Sequence, residues 1–166
     1  MHAPPRVYLI DTNAIIEAVR TRCWHAITGG LRVETVEECR DECQRGERLS
    51  TGVIVVTAAT LARLSAIHPV TPAERAALLL TPEGASLDPG ERDLFAHAIA
   101  RADAWLLCSP DHASVDVSVA RALGDRMISL GELVELVGAR PAMPLRPHFE
   151  STWLNRKKTE AMLRRI

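Results

Sequence analysis

Asp11, Glu38, Glu91, Asp93 and Asp111 stand where an α/β protein places its chemistry. Asp11 follows the apolar run Val7–Ile10 in "RVYLIDTNAII", and Asp111 follows "WLLCSP". Glu38 falls in the first turn of a helix that opens after a second short apolar stretch. Glu91 and Asp93 fall in the first turn or two of a helix beginning near Pro89. In open α/β sheets, ligands bind outside the carboxyl ends of the strands, so these separate elements can deliver acids to one pocket. Such a cluster is unfavourable alone, because like charges a few ångströms apart repel strongly at low effective dielectric. Either some carboxyls keep their protons or a cation neutralises them. Oxygen-only donors suit the hard ions Mg²⁺ and Mn²⁺. Such an ion orients water, lowers its pKa and stabilises charge on a phosphodiester; two ions about 3.5–4 Å apart hold both attacking and leaving oxygens.

No single acid carries this argument. Asp11 alone could cap a helix, Glu38 could belong to a capping box, and Glu91 and Asp93 are ordinary first-turn acids favoured by the helix dipole. Asp111 could cap the helix it precedes, Asp88 could cap before Pro89, and Asp116 reads as a surface acid. The set is what points to a site.

The elements that must position these residues alternate. Val7–Ile10 reads as a strand buried on both faces, as in a parallel sheet. Residues 13–20 carry Ile15, Ile16 and Val19 at helical spacing, and Gly29-Gly30 marks a break. Residues 31–33 read as a short strand, and Thr35 with Glu38 fits the S/T-x-x-E capping box of the next helix. "GVIVVTAATLARLSAI" favours strand in its first half and helix in its second. Thr71-Pro72 opens a helix, "TPEGASLDPG" reads as a loop, and a helix runs from Pro89 to about Arg101. "AWLLCS" is a strand, residues 115–123 a helix, "RMISL" a short strand and "GELVELVG" a helix. Strands alternating with helices predict an α/β fold, three-layered α/β/α, around a mainly parallel sheet. Residues 1–138 form the expected domain. Residues 139–166 read as a proline-containing linker, "ARPAMPLRP", and a basic amphipathic tail with Arg156, Lys157, Lys158, Arg164 and Arg165.

Composition excludes several classes. The chain has 166 residues, 47% of them hydrophobic and 25% charged, with a net charge of −1, which suits one globular domain without an overall nucleic-acid signature. No run approaches the about 18 apolar residues of a membrane span. "MHAPPRVYLI" lacks the basic start and long apolar core of a signal peptide. The four cysteines (Cys23, Cys39, Cys43, Cys108) form no CxxC pair, so reduced structural thiols in the cytoplasm are expected rather than a zinc site.

With these residues in place, the chain resembles the PIN-domain family over about residues 6–137. "YLIDTNAII" is similar to the family's opening strand and DTN motif. "TVEEC" resembles its second motif, and "LDPGERDLFAHAIARADAWLLCSPD" its third and fourth. The resemblance implies a three-layer PIN-like fold and a Mg²⁺- or Mn²⁺-dependent endoribonuclease. It makes Asp11 the central ligand, with Glu38 and Asp111 as second and fourth acids; Glu37 and Glu42 lie close to Glu38. For the third acid, the GE pair points to Glu91 and the spacing to Asp111 points to Asp93. Thr12, Asn13 and Ser109 would support the site, Asn13 by hydrogen bonding to Asp11. The proline in "CSPD" departs from many relatives. Further implications are an RNA substrate, a role as the toxin of a type II toxin–antitoxin pair or as an RNA-processing nuclease, an antitoxin or other protein partner, and a homodimer. The tail's five basic residues are candidates for RNA or partner contact.

Two other readings compete. One is a catalytically silent binding module on the same fold. The other is a phosphoryl-acceptor α/β protein, but that class needs a lysine near the acid, and the only lysines are Lys157 and Lys158. No G-x-S-x-G and no G-x-x-x-x-G-K-[ST] occurs. His97 and His112 are the histidines near the acids in sequence.

Overall fold

The run Val7–Ile10 forms β1, a central strand with apolar residues on both faces. In the computed structural model, which describes residues 6–45, 47–49 and 52–166, β1 lies between β2 (Arg32–Val36) and β6 (Trp105–Cys108). β5 (Ala66–His68) adds outside β2, giving the order β5-β2-β1-β6 with every pairing parallel. A separate antiparallel hairpin joins β3 (Glu47–Leu49) and β4 (Gly52–Ile54). The chain therefore runs from β1 outward through β2 to β5, then returns to the other side of β1. The strand order reverses between β1 and β6, which is where open α/β sheets form their binding crevice.

Both sheet faces are covered. Ile10 joins a core with Ile15 and Ile16 of α1 (Thr12–Arg20), Trp24 and Ile27 of α2 (Trp24–Gly30), and Leu130 and Leu133 of α8 (Leu130–Leu136). Val7 and Leu9 join the opposite core, with Cys39 of α3 (Glu37–Arg45), Leu78 of α5 (Pro72–Leu79), Leu94 and Phe95 of α6 (Pro89–Ala100) and Val117 of α7 (His112–Ala120). Alternate β1 residues thus feed alternate layers, as the period of two requires. Among the described residues, no helix is long and apolar enough to cross a membrane.

Several local expectations change. The Thr35–Glu38 capping box does not form. Thr35 is buried in β2, where its hydroxyl donates to the Ile10 carbonyl at 2.6 Å, and α3 opens at Glu37. Residues 24–30 are helical, and the stretch "GVIVVTAATLARLSAI" splits between β4, the one-turn α4 (Ala58–Leu61) and the start of β5. "RMISL" makes only a single bridge, Met127 to Leu107, rather than a strand. Thr71 with Glu74 and Asp88 with Glu91 do form capping boxes, each ahead of a first-turn proline.

The proline-rich segment is pinned to the body. Glu17, buried inside α1, accepts from Arg20 and from both the backbone and the guanidinium of Arg146, the last two at 2.8 Å. Burial alone would raise its carboxyl, and these hydrogen bonds outweigh it, holding it below the usual range. Ala142 donates its backbone N–H to Thr21, and Phe149 is fully buried in the α1-side core. The tail forms α9 (Ser151–Leu163), which packs Trp153 and Leu154 against Val115 and Val119 of α7.

Candidate functional site

The crevice between β1 and β6 is built by register. Ile10 pairs with Cys108, and the Asp11 backbone N–H donates to the Cys108 carbonyl at 3.0 Å. Asp11 and Ser109 therefore leave their strands side by side. Each strand is followed by a helix capped by an acid. The Asp11 carboxylate accepts from the Ala14 N–H at 2.8 Å, and the Asp111 carboxylate from the Ala113 N–H at 2.7 Å. Ser109 donates to the second Asp11 oxygen at 3.1 Å and accepts from Ser114, whose oxygen lies 2.8 Å away.

Asp11 is 2% exposed. Burial pushes its carboxyl up to about 7, and the charges of Asp88 and Asp111 add to this, against hydrogen bonds from Ala14 and Ser109 that lower it. Glu91, on the first turn of α6, is also buried. Desolvation first, then the charges of Asp111, Asp88 and Asp11, raise its carboxyl to about 8. The capping box fixes Glu91, which accepts from the Asp88 N–H at 3.2 Å while its own N–H donates to Asp88 at 2.8 Å.

Glu42, one turn beyond Glu38 on α3, enters the same group. It accepts from the Thr12 hydroxyl at 2.6 Å and from the Gly90 N–H at 3.1 Å. Its carboxyl is raised by burial and by Asp88 and Glu38. A Cβ on Gly90 would lie 2.5 Å from Glu42 Oε2, so the missing side chain is what lets this carboxylate sit on the α6 terminus. The carboxylates that share this field are therefore Asp11, Glu42, Asp88, Glu91 and Asp111. Among the described residues, no arginine or lysine ion pair reaches any of them.

Other expected residues lie elsewhere. Asp93 gives both oxygens to Arg75 of α5, at 2.8 Å each, so Glu91 is the acid of α6 that joins Asp11 and Asp111. Glu38 is half-exposed and pairs with Arg45 at 3.2 Å. Asn13 is exposed, while the hydrogen bonds to Asp11 come from Ala14 and Ser109. His97 stacks on His68 at 4.3 Å, and burial, with His68 and Arg101, lowers its pKa. His112 is exposed and meets Trp153 edge-on. In the tail, Lys157 is taken by Glu160, Lys158 by the Gly124 carbonyl and Arg164 by Asp116.

All four cysteines are buried and unbridged. Burial, with the charges of Asp11 and Glu42, pushes the Cys39 thiol well up and that of Cys43 to about 12, so neither offers a thiolate. The carboxylate donors suit Mg²⁺ or Mn²⁺ in kind. In their present positions, no group of three or more His, Cys, Asp and Glu among the described residues is arranged to hold an ion, so a cation would have to gather them.

Glu42 and Asp88 are the two members that sequence reasoning left at the margin. For Glu42, the readable signal is its place one helical turn from Glu38, on the same helix face. Comparison with family models, with curated proteins and with solved structures gives no match.

Proposed function

We propose that this chain is a metal-dependent endoribonuclease that hydrolyses RNA phosphodiester bonds, in the manner of the PIN-like proteins its sequence resembles. The observation that carries the reading is the crowding of Asp11, Glu91 and Asp111 at the β1/β6 crevice, with no arginine or lysine ion pair to them among the described residues. Asp11, Glu91 and Asp111 would hold Mg²⁺ or Mn²⁺, with Glu42 and Asp88 flanking. A bound ion of this kind supplies an activated water and stabilises charge on the phosphate in flight.

The chain's own residues set the rest. The strand ends and the α1 cap fix Asp11, so the central oxygens are preorganised. Ser109, at the end of β6, holds the second Asp11 oxygen, where a scissile phosphate oxygen would approach. Burial and the neighbouring acids raise the Glu91 carboxyl to about 8, so a cation arriving there would displace its proton. Glu42 of α3 ties the start of α1 to the start of α6 through Thr12 and Gly90.

The test is cleavage of a mixed single-stranded RNA by purified protein with Mn²⁺, Mg²⁺ or chelator. The expected result is metal-dependent cleavage that Asp11→Asn and Glu91→Gln each reduce at least about 100-fold. An Asp11→Asn variant that cuts as fast as wild type would overturn the assignment. RNA binding without metal-dependent cleavage would favour the silent binding module.

A further inference from the structure

We infer that the C-terminal helix α9 supplies a subsite for one unpaired nucleotide of a single-stranded RNA; this rests on the nuclease reading for its role but not for its binding chemistry. A cavity of about 340 Å³ lies between the proline-rich segment and the start of α9, lined by Leu145, Pro147, Glu150, Thr152, Trp153 and Arg156. That is within the about 300–1,000 Å³ range of small-ligand sites.

Its position is set by Trp153. This indole is shared between the cavity and His112, which packs edge-on against it at 5.4 Å. His112 directly follows Asp111 in the chain, so Trp153 is the side chain that links the cavity wall to the residue next to that acid. His148 also packs edge-on with this indole, at 6.3 Å. A cavity with an indole, a leucine and a proline on its wall accepts the face of a base that has left its stack, and such stacking tolerates any base.

The charge is placed for a phosphate. Of the tail cations, Lys157 and Arg164 are taken up by Glu160 and Asp116. Arg156 keeps 64% of its side chain exposed, its contact with Glu160 spans 3.8 Å, and it stands on the cavity wall. Arg156 would hold the backbone of the same strand whose base enters the cavity. Glu150 turns its carboxylate toward Gly131, whose added Cβ would lie 2.9 Å from Oε2, so this charge is directed at the first turn of α8. A duplex keeps its bases stacked and cannot fill the cavity, which commits the site to single strands.

Binding of a labelled single-stranded RNA octamer and of the matching duplex, in chelator, tests this by fluorescence anisotropy on the full chain. Arg156→Ala should weaken single-strand binding at least about fivefold and lower the slope of log K against log salt by about 0.7, one phosphate contact. Lys157→Ala, at a cation already paired, should change it less than about twofold. His112→Ala, at an exposed ring, gives a second readout and should weaken binding about two- to threefold. Duplex bound as tightly as single strand, or Arg156→Ala and Arg156→Glu both within twofold of wild type, overturns the subsite. A wild type that does not cleave with Mn²⁺ yet binds through Arg156 defeats the nuclease reading and supports the subsite. Cleavage with Arg156-independent binding defeats the subsite alone.

Discussion

Asp11→Asn should make the metal-free protein more stable, and more so as pH rises. The Asp11 carboxyl stands at about 7 in the fold against 3.8 for the free group, because burial and the charges of Asp88 and Asp111 disfavour its ionised form. The unfolded chain therefore gives up this proton first. The stability linked to the group is complete below about pH 4 and is lost as pH rises through about 7. At about pH 8 a gap of roughly three units has opened, worth about 4 kcal/mol at about 1.4 kcal/mol each. At about pH 5 the native carboxyl is still protonated and the loss is about 2 kcal/mol. Asparagine keeps the oxygen that caps α1 through Ala14 and places an amide where Ser109 can accept instead of donate. The variant should thus exceed wild type by about 4 kcal/mol at about pH 8, raising Tm by about 8–16 °C, and by about half that at pH 5. Thermal unfolding in chelator at both pH values measures this. Adding Mn²⁺ should then raise the wild-type Tm and leave the variant nearly unchanged. A variant no more stable than wild type at pH 8, or an advantage that does not grow with pH, refutes the claim that this carboxylate is held under electrostatic stress.

Three further substitutions separate the residues that converge from those that do not. Asp93→Asn should lower stability by about 1–3 kcal/mol through loss of the Arg75 pairing, yet leave cleavage within about threefold, in contrast to Glu91→Gln. Gly90→Ala puts a methyl 2.5 Å from Glu42 Oε2 and forces that carboxylate off α6. Because alanine favours the helix by about 1 kcal/mol, unfolding should show little or no loss while cleavage falls at least about tenfold. Glu17→Gln breaks a buried two-arginine clip and should cost about 3–5 kcal/mol. Limited proteolysis should then cut within residues 139–150 sooner than in wild type. The Glu17 carboxyl is held low, so its contribution is present at neutral pH and is lost as pH falls below the usual glutamate range.

The centre of the sheet was legible because β1 and β6 are short apolar runs, and a run buried on both faces leaves few alternatives, whereas the three-residue edge strand β5 fell in a stretch that favoured helix. The acids were harder, for different reasons at each station. Asp11 and Asp111 follow strands directly, so knowing the strand places them. Residues two apart on a helix do not face the same way, so Glu91 and Asp93 could not both turn to the crevice. What decides between them is Arg75, which comes from α5, eighteen positions away, and claims Asp93. Glu38 and Glu42 pose the opposite problem, since they share a face and differ by one turn. Reading Thr35 as a cap started α3 too early. The sheet takes Thr35 instead, tying its hydroxyl to the carbonyl end of β1, and the turn that reaches Thr12 is then the one bearing Glu42. The C-terminal segment followed the same logic. Its prolines suggested a tether because they remove backbone donors, but Arg146 reaches a glutamate hidden within an apolar helix face, and that partner is visible only once α1 is folded. In each case local pattern set the element and a distant side chain set its use. The acid most trustworthy from sequence is therefore the one that depends least on such partners, Asp11, whose position follows from β1 alone.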